Sequence, residues 1–237
     1  MKKSEVIAII LCGGVGSRFK NNIPKQLIKI EEKPIFEYTI DKFNRNINVD
    51  KIILVINEKY QNQFRPKDLY KTYFKIGDIV VGGKTRRESV LKGLEVISNE
   101  KSKILIHDGV RPFVSEDTIN RCIEALDEHD AIYPAVNSAD TLIEVNEKLF
   151  ISNIPNRKYM RRGQTPQGFK FSIIKKAHQL ALNDVNVDEE ITNDCGLIKR
   201  YNLCEIKVVE GNRENFKITY PGDLELFNQV IKGDKNE

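Results

Sequence analysis

The sequence predicts an α/β protein: a Rossmann-like three-layer αβα sandwich with a mostly parallel sheet and a protruding β-hairpin arm. Three observations carry that expectation. Apolar runs of strand length recur along the chain, and they are apolar at nearly every position rather than at alternate ones. Amphipathic stretches of helical period lie between them. Strands apolar on both sides belong in a sheet covered on both faces, the usual setting of parallel strands joined by right-handed helical crossovers.

The first run, EVIAIIL at 5–11, reads as a buried strand. It follows a charged start but is too short for the apolar region of most secretory leaders. In the stretch 34–45, Ile35, Tyr38, Thr39 and Phe43 share one helical face. KIILVI at 51–56 and DIVV at 78–81 are the next strands, and 86–98 is a helix with Val90, Leu91, Leu94 and Val96 or Ile97 on one side. KILIHD at 103–108 is again a strand. A helix follows with Ile119, Cys122, Ile123 and Leu126 on one face, Ser115 as N-cap and Asp117 in its first turn. DAIYPAV at 130–136 closes the regular part.

The rhythm changes near 138–162. TLIEV and LFISNI alternate like strands and are joined by the turn-like NEK, which predicts a hairpin arm. Helix returns at 171–182 and near 188–199, strands at CEIKVV (204–209) and FKIT (216–219), and a last helix opens at Pro221. Only the GDKNE tail looks frayed. The reading is one domain over 1–237 with the arm inserted at about 138–162.

Bulk properties narrow the function. With 38 basic and 34 acidic residues interspersed, the net charge of +4 suits small anionic ligands better than nucleic acid. No apolar stretch reaches the roughly 18 residues that span a bilayer. The cysteines, Cys12, Cys122, Cys195 and Cys204, have neither metal-ligand nor disulfide spacing, so reduced thiols in a cytoplasm are expected.

The chemistry begins at LCGGVGSRFKNNIPKQ, residues 11–26, where a strand empties into a glycine-rich loop. A dinucleotide fingerprint fails because Phe19 stands where its third glycine is needed. A Walker A loop fails because no Gly-Lys-Ser/Thr follows. What remains is Gly-Gly-x-Gly-Ser-Arg with Pro-Lys-Gln after it. Glycine N–H groups can wrap phosphate oxygens, and Arg18 and Lys25 add a forked and a point cation, an arrangement suited to a triphosphate. Three other segments stand out: the Gly-Gly turn of GGKTRRESVLKGL at 82–94, between a strand and a helix; HDGVRPF at 107–113, closing a central strand where open α/β folds place ligands; and VEGNRENFKIT at 209–219. An exposed Gly-Gly turn lets a flat base approach the backbone; the alternative is a simple strand-to-helix turn with Thr85 as N-cap. Asp108 could position ribose or a phosphate-bound Mg²⁺. Arg111 reads equally as a structural ion-pair partner, and His107 as a packed strand histidine. Lys217, placed in a strand, would need an anion beside it.

Taken together, L-x-G-G-x-G-S-R with P-K-Q, GGKTRRES, HDGVRPF, RGQTPQGF at 162–169 and VEGNRENFKIT resemble the sugar-phosphate nucleotidyltransferases. Within them they are similar to the cytidylyltransferases acting on 2-C-methyl-D-erythritol 4-phosphate and ribitol 5-phosphate. The resemblance covers nearly the whole chain. It implies a CTP-dependent transfer of CMP to a polyol phosphate, with Mg²⁺ carried mainly by the CTP phosphates and within the reach of Asp108 as a further ligand. It implies catalytic roles for Arg18, Lys25 and Lys217. Nucleotide binding falls to Leu11, Gly13, Gly14, Gly16, Ser17, Gly83, Lys84, Ser89 and Asp108, with Gly83, Lys84 and Ser89 at the base-reading loop. Asp140, Thr141 and Arg157 match positions that hold the acceptor's phosphate across a homodimer built on the arm. Methylerythritol enzymes usually flank the Asp-Thr pair with cations; here Ala139 and Ile143 stand there, as in the ribitol type, whereas VEGNRENFKIT resembles the methylerythritol branch. The rival readings are an NAD(P)-dependent oxidoreductase and a non-catalytic nucleotide-binding module.

Overall fold

The computed structural model describes residues 4–14 and 23–233. In chain order the strands and helices are β1 Val6–Cys12, β2 Lys29–Ile30, β3 Lys33–Pro34, α1 Ile35–Arg45, β4 Lys51–Ile56, α2 Gln61–Phe64, α3 Pro66–Thr72, β5 Ile76–Val81, α4 Arg86–Glu95, β6 Lys103–Asp108, α5 Glu116–Ala125 and β7 Ala131–Asn137. There follow β8 Glu144–Val145, β9 Ile151–Asn153, β10 Arg161–Gly163, β11 Gln167–Lys170, α6 Phe171–Ala181, α7 Val187–Glu190, α8 Asp194–Arg200, β12 Ile206–Glu210 and α9 Pro221–Gly233.

Eight strands form one sheet in the order β10-β7-β11-β6-β1-β4-β5, with β12 on β7. β1 lies between β4 and β6 and pairs parallel with both, as do β4 with β5 and β12 with β7. β10 and β11 run antiparallel to β7, so the sheet is mostly parallel, as expected.

The near-continuous apolar character of β1 has a direct structural cause. Val6, Ala8, Ile10 and Cys12 face one layer, where Phe36, Ile40 and Phe43 of α1 and Ile119 and Cys122 of α5 pack. Ile7 and Ile9 face the other, against Val90 and Leu94 of α4, Ile174 of α6 and Leu197 of α8. Side chains alternate across a strand, so burial on both faces demands apolar residues at successive positions. Ser115 caps α5, its hydroxyl accepting the Thr118 N–H.

Three expectations are corrected. FKIT is not a strand: residues 216–219 run beside the sheet without joining a ladder, held by the Ile218 N–H on the Val110 carbonyl and by Ile218 packing with Phe227 of α9. The helix expected at 188–199 is two short ones, α7 and α8. Asn193 separates them, because its side chain accepts the Gly196 N–H and starts α8 as an N-cap. The arm is shorter than its sequence pattern, since Arg161 and Arg162 already pair with β7. Its hairpin pairs only β8 with β9, around a turn in which the Asn146 side chain accepts the Lys148 and Phe150 N–H groups.

Candidate functional site

A cleft of about 430 Å³ opens beyond the carboxyl ends of the parallel strands. β1 delivers Leu11 to Gly14 to it, β4 leads directly into Asn57, β5 runs into Gly83 to Arg86, and β6 ends at Asp108. The short 3-10 turn Lys25–Leu27 and the extended segment holding Lys217 and Thr219 complete the wall. Thus Leu11, Gly13, Gly14, Lys25, Gly83, Lys84, Ser89, Asp108 and Lys217 all line this one cleft. Gly16, Ser17 and Arg18 lie outside the described residues.

Charge in the cleft is one-sided. Among its described lining residues, Lys25, Lys84, Arg86 and Lys217 face a single carboxylate, Asp108. An apolar-backed pocket with such an excess of cations selects a polyanion.

Asp108 organises these cations. Its Oδ2 lies 3.0 Å from Lys217 Nζ and 3.2 Å from Arg111 Nε, and its Oδ1 lies 3.9 Å from Arg86 Nε. Burial alone would raise the Asp108 carboxyl, but Lys217, then Arg86 and Arg111, hold it well below the usual carboxylate range. The anion that Lys217 needs is therefore Asp108, although Lys217 is 40% exposed and not in a strand. Arg111 also donates to the Asn215 carbonyl at 2.9 Å, which ties the Lys217 segment to β6. Its role here is structural.

His107 is packed, not poised as a base. Its Nε2 lies 3.1 Å from the Arg111 carbonyl and its Nδ1 3.0 Å from Thr165 Oγ1, so both nitrogens of a neutral ring are satisfied. Burial pushes its pKa down to about 4. Thr165 also receives the Asp108 N–H at 3.2 Å, fixing the end of β6.

The turn at Gly82-Gly83 closes on itself. Thr85 caps α4 by accepting the Glu88 N–H, and Glu88 Oε2 accepts the Lys84 N–H at 2.7 Å. The Ser89 hydroxyl donates to the Thr85 carbonyl at 2.9 Å and accepts the Gly83 N–H at 3.2 Å. Ser89 lines the cleft, but its hydrogen bonds shape the turn.

Lys25 donates to the Ile218 carbonyl at 2.5 Å, drawing the opening turn and the Lys217 segment to one side of the cleft. Asp140, Thr141 and Arg157 do not line it. They gather at the base of the arm, where Arg157 Nη1 donates to the Ala139 carbonyl at 3.3 Å and all three are exposed.

The sequence reading missed Gln26, Asn57 and Arg86. Arg86 donates to Asp194 at 2.6 Å as well as facing Asp108. Asn57 had a signal, its place just past the end of an apolar strand; Gln26 and Arg86 looked like ordinary surface residues flanking more conspicuous neighbours. No group of three His, Cys, Asp or Glu able to hold a metal occurs among the described residues. No helix there is long and apolar enough to cross a membrane.

The chain matches the family described as "IspD: 2-C-methyl-D-erythritol 4-phosphate cytidylyltransferase" over residues 6–232. It is 36% identical to a 2-C-methyl-D-erythritol 4-phosphate cytidylyltransferase of Lachnospira eligens, over 95% of this chain and 99% of that one. It is 34% identical to a ribitol-5-phosphate cytidylyltransferase of Vibrio parahaemolyticus, over 97% of each. Its fold superposes on the crystal structure of 4-diphosphocytidyl-2C-methyl-D-erythritol synthase from Anaerococcus prevotii with a TM-score of 0.85 and 29% identity, covering 97% of this chain and 96% of that one. A cationic cleft at the carboxyl ends of a mostly parallel sheet, matched in sequence and fold over nearly its whole length, places this chain in the IspD family of cytidylyltransferases.

Proposed function

We propose that this cytidylyltransferase moves CMP from CTP onto a pentitol phosphate such as ribitol 5-phosphate, giving a CDP-alditol and pyrophosphate. The observation that carries the acceptor reading is the neutral flank of Asp140-Thr141. Ala139 precedes the pair, Ile143 stands two residues after it, and Arg157 is hydrogen-bonded to this stretch. The methylerythritol phosphate reading is favoured instead by VEGNRENFKIT and by the Lachnospira relative.

In the proposed reaction an acceptor phosphate oxygen attacks the α-phosphorus of CTP in line. The bond to the bridging oxygen breaks, and pyrophosphate leaves with its electron pair. No protein nucleophile is required. The work of Lys25 and Lys217, together with Arg18, is to hold the phosphates and offset the charge that develops on them. Leu11, Gly13, Gly14, Gly83, Lys84 and Ser89 would bind the nucleotide from the cleft wall, and Gly16 and Ser17 are proposed to bind it as well. Mg²⁺ is the proposed cofactor, and when bound it would neutralise phosphate charge. With Asp108 the one described carboxylate in the cleft, the donor set fits an ion carried mainly by triphosphate oxygens and water.

The arm supports assembly as a homodimer. Leu149, Phe150, Ile151 and Ile154 are all more than half exposed on it, and a second copy docking there would bury them. A cytoplasmic enzyme with small-molecule substrates is consistent with buried, reduced Cys12, Cys122 and Cys195.

The test is pyrophosphate release from CTP and Mg²⁺ with ribitol 5-phosphate and, separately, 2-C-methyl-D-erythritol 4-phosphate. Faster turnover with ribitol 5-phosphate is expected. Turnover with the methylerythritol substrate alone would replace the acceptor, and release with neither would overturn the whole reading.

A further inference from the structure

Two carboxamides at the mouth of the cleft have no part in the roles described so far. Gln26 Nε2 donates to the carbonyls of both Cys12 and Gly14, each at 2.7 Å. Asn57 Nδ2 donates to the carbonyl between them, that of Gly13, at 2.8 Å. Three consecutive carbonyls, from the last residue of β1 to the second residue beyond it, are thus each taken by a side-chain amide. Neither amide is there by accident of surface motion. Gln26 is only 2% exposed, and Asn57 is oriented from its other end, where its Oδ1 accepts the Lys59 N–H at 3.0 Å.

A trans peptide is planar, so its N–H points opposite to its carbonyl. Drawing the Cys12 carbonyl onto Gln26 turns the Gly13 N–H away from Gln26. Drawing the Gly13 carbonyl onto Asn57 turns the Gly14 N–H away from Asn57. An unheld glycine pair could as easily flip a peptide and present a carbonyl oxygen, which repels phosphate. We infer that Gln26 and Asn57 are positioning residues for the nucleotide's triphosphate: they hold back the carbonyls of the opening turn so that it presents N–H groups to phosphate. This rests on the reading of the cleft as the CTP site and adds two residues to it. It also gives Asn57, which stands where a dinucleotide-binding strand would place an acid, a task of its own.

The experiment uses Gln26→Met and Asn57→Ser, both neutral. Met keeps the length of Gln26 without its donors. Ser keeps the cap on the Lys59 N–H but is too short to reach the Gly13 carbonyl, so the two functions of Asn57 separate. In each variant kcat/KM for CTP should fall at least about tenfold, as expected when a catalytic loop loses its set geometry, with KM for the polyol phosphate within about twofold of wild type. CTP affinity should fall while cytidine affinity holds, and the melting temperature should stay within a few degrees. Wild-type kcat/KM for CTP in Asn57→Ser, or equal losses for cytidine and CTP, overturns the inference, whether or not Gln26→Met folds. Wild-type protein that fails to bind CTP at all removes the underlying reading instead, which a wild-type control distinguishes.

Discussion

Gly13-Gly14 and Gly82-Gly83 border the same cleft, and each follows a parallel strand, β1 or β5. Their surroundings differ. A Cβ at Gly14 would meet no described atom within 4 Å, and one at Gly13 would lie 3.5 Å from Ser89 Oγ, an ordinary contact. A Cβ at Gly83 would fall 2.3 Å from Glu88 Cβ, and one at Gly82 2.6 Å from Ser89 Oγ. The second turn therefore needs glycine to pack against the start of α4. Among the described residues the first shows no such need, and it lines a cationic cleft. Under the proposed function, glycine there would serve a ligand's approach, so that similar dipeptides in similar places would serve two ends, one folding and one binding.

The sharpest way to test that division is Lys25→Ala, on the binding side. Lys25 lines the cleft with the opening turn, and under the proposed function removing this cation should lower kcat by about 10²–10³ with the fold intact. A variant that kept wild-type turnover would break the assignment of the opening turn to the phosphates.

The floor beneath both turns should instead report on stability. His107 has its pKa lowered from 6.5 to about 4 by burial, so the folded state binds fewer protons than the unfolded chain between those values. Stability should fall as pH drops from 6.5 towards 4, by on the order of 3 kcal/mol over that window, and flatten in His107→Gln. The Asp108 contribution, from a depressed pKa, is lost only at still lower pH, as the carboxylate protonates. Chemical denaturation across this range separates the two, and an unchanged slope in His107→Gln would contradict the packed-histidine reading.

How much of this was legible in the sequence depends on what each residue type can signal. Both-face burial left an unmistakable mark, because each of β1, β4 and β6 must be apolar at successive positions, and their limits were read within a residue or so. Asp108 at a strand end and the two glycine turns were visible for the same topological reason. The 216–219 segment was not. FKIT alternates like a strand, but its hydrogen-bonding fate is decided by where Val110 and α9 lie, which local pattern does not carry. Arg86 was hidden because its value comes from Asp108 and Asp194, 22 and 108 positions away in the chain. Gln26 was missed because its partners are backbone carbonyls, which every sequence has.

The smallest effects expected are those of single methyl groups, and they divide the two turns most cleanly. Gly83→Ala forces a Cβ against Glu88 Cβ, which belongs to the helix start and cannot swing aside like the tip of a long side chain. A loss of about 1–3 kcal/mol is expected, the usual cost of overpacking, read as a lower denaturation midpoint at unchanged m-value. Gly14→Ala meets no described atom within 4 Å and should leave that midpoint unchanged or slightly raised, since alanine narrows the unfolded ensemble. Its cost should fall on kcat/KM for CTP alone, because the methyl group would stand where the nucleotide's phosphates approach the backbone. If Gly14→Ala destabilised the fold as much as Gly83→Ala while sparing CTP turnover, the opening turn would be a packing device like its counterpart, and the distinction between the two would collapse.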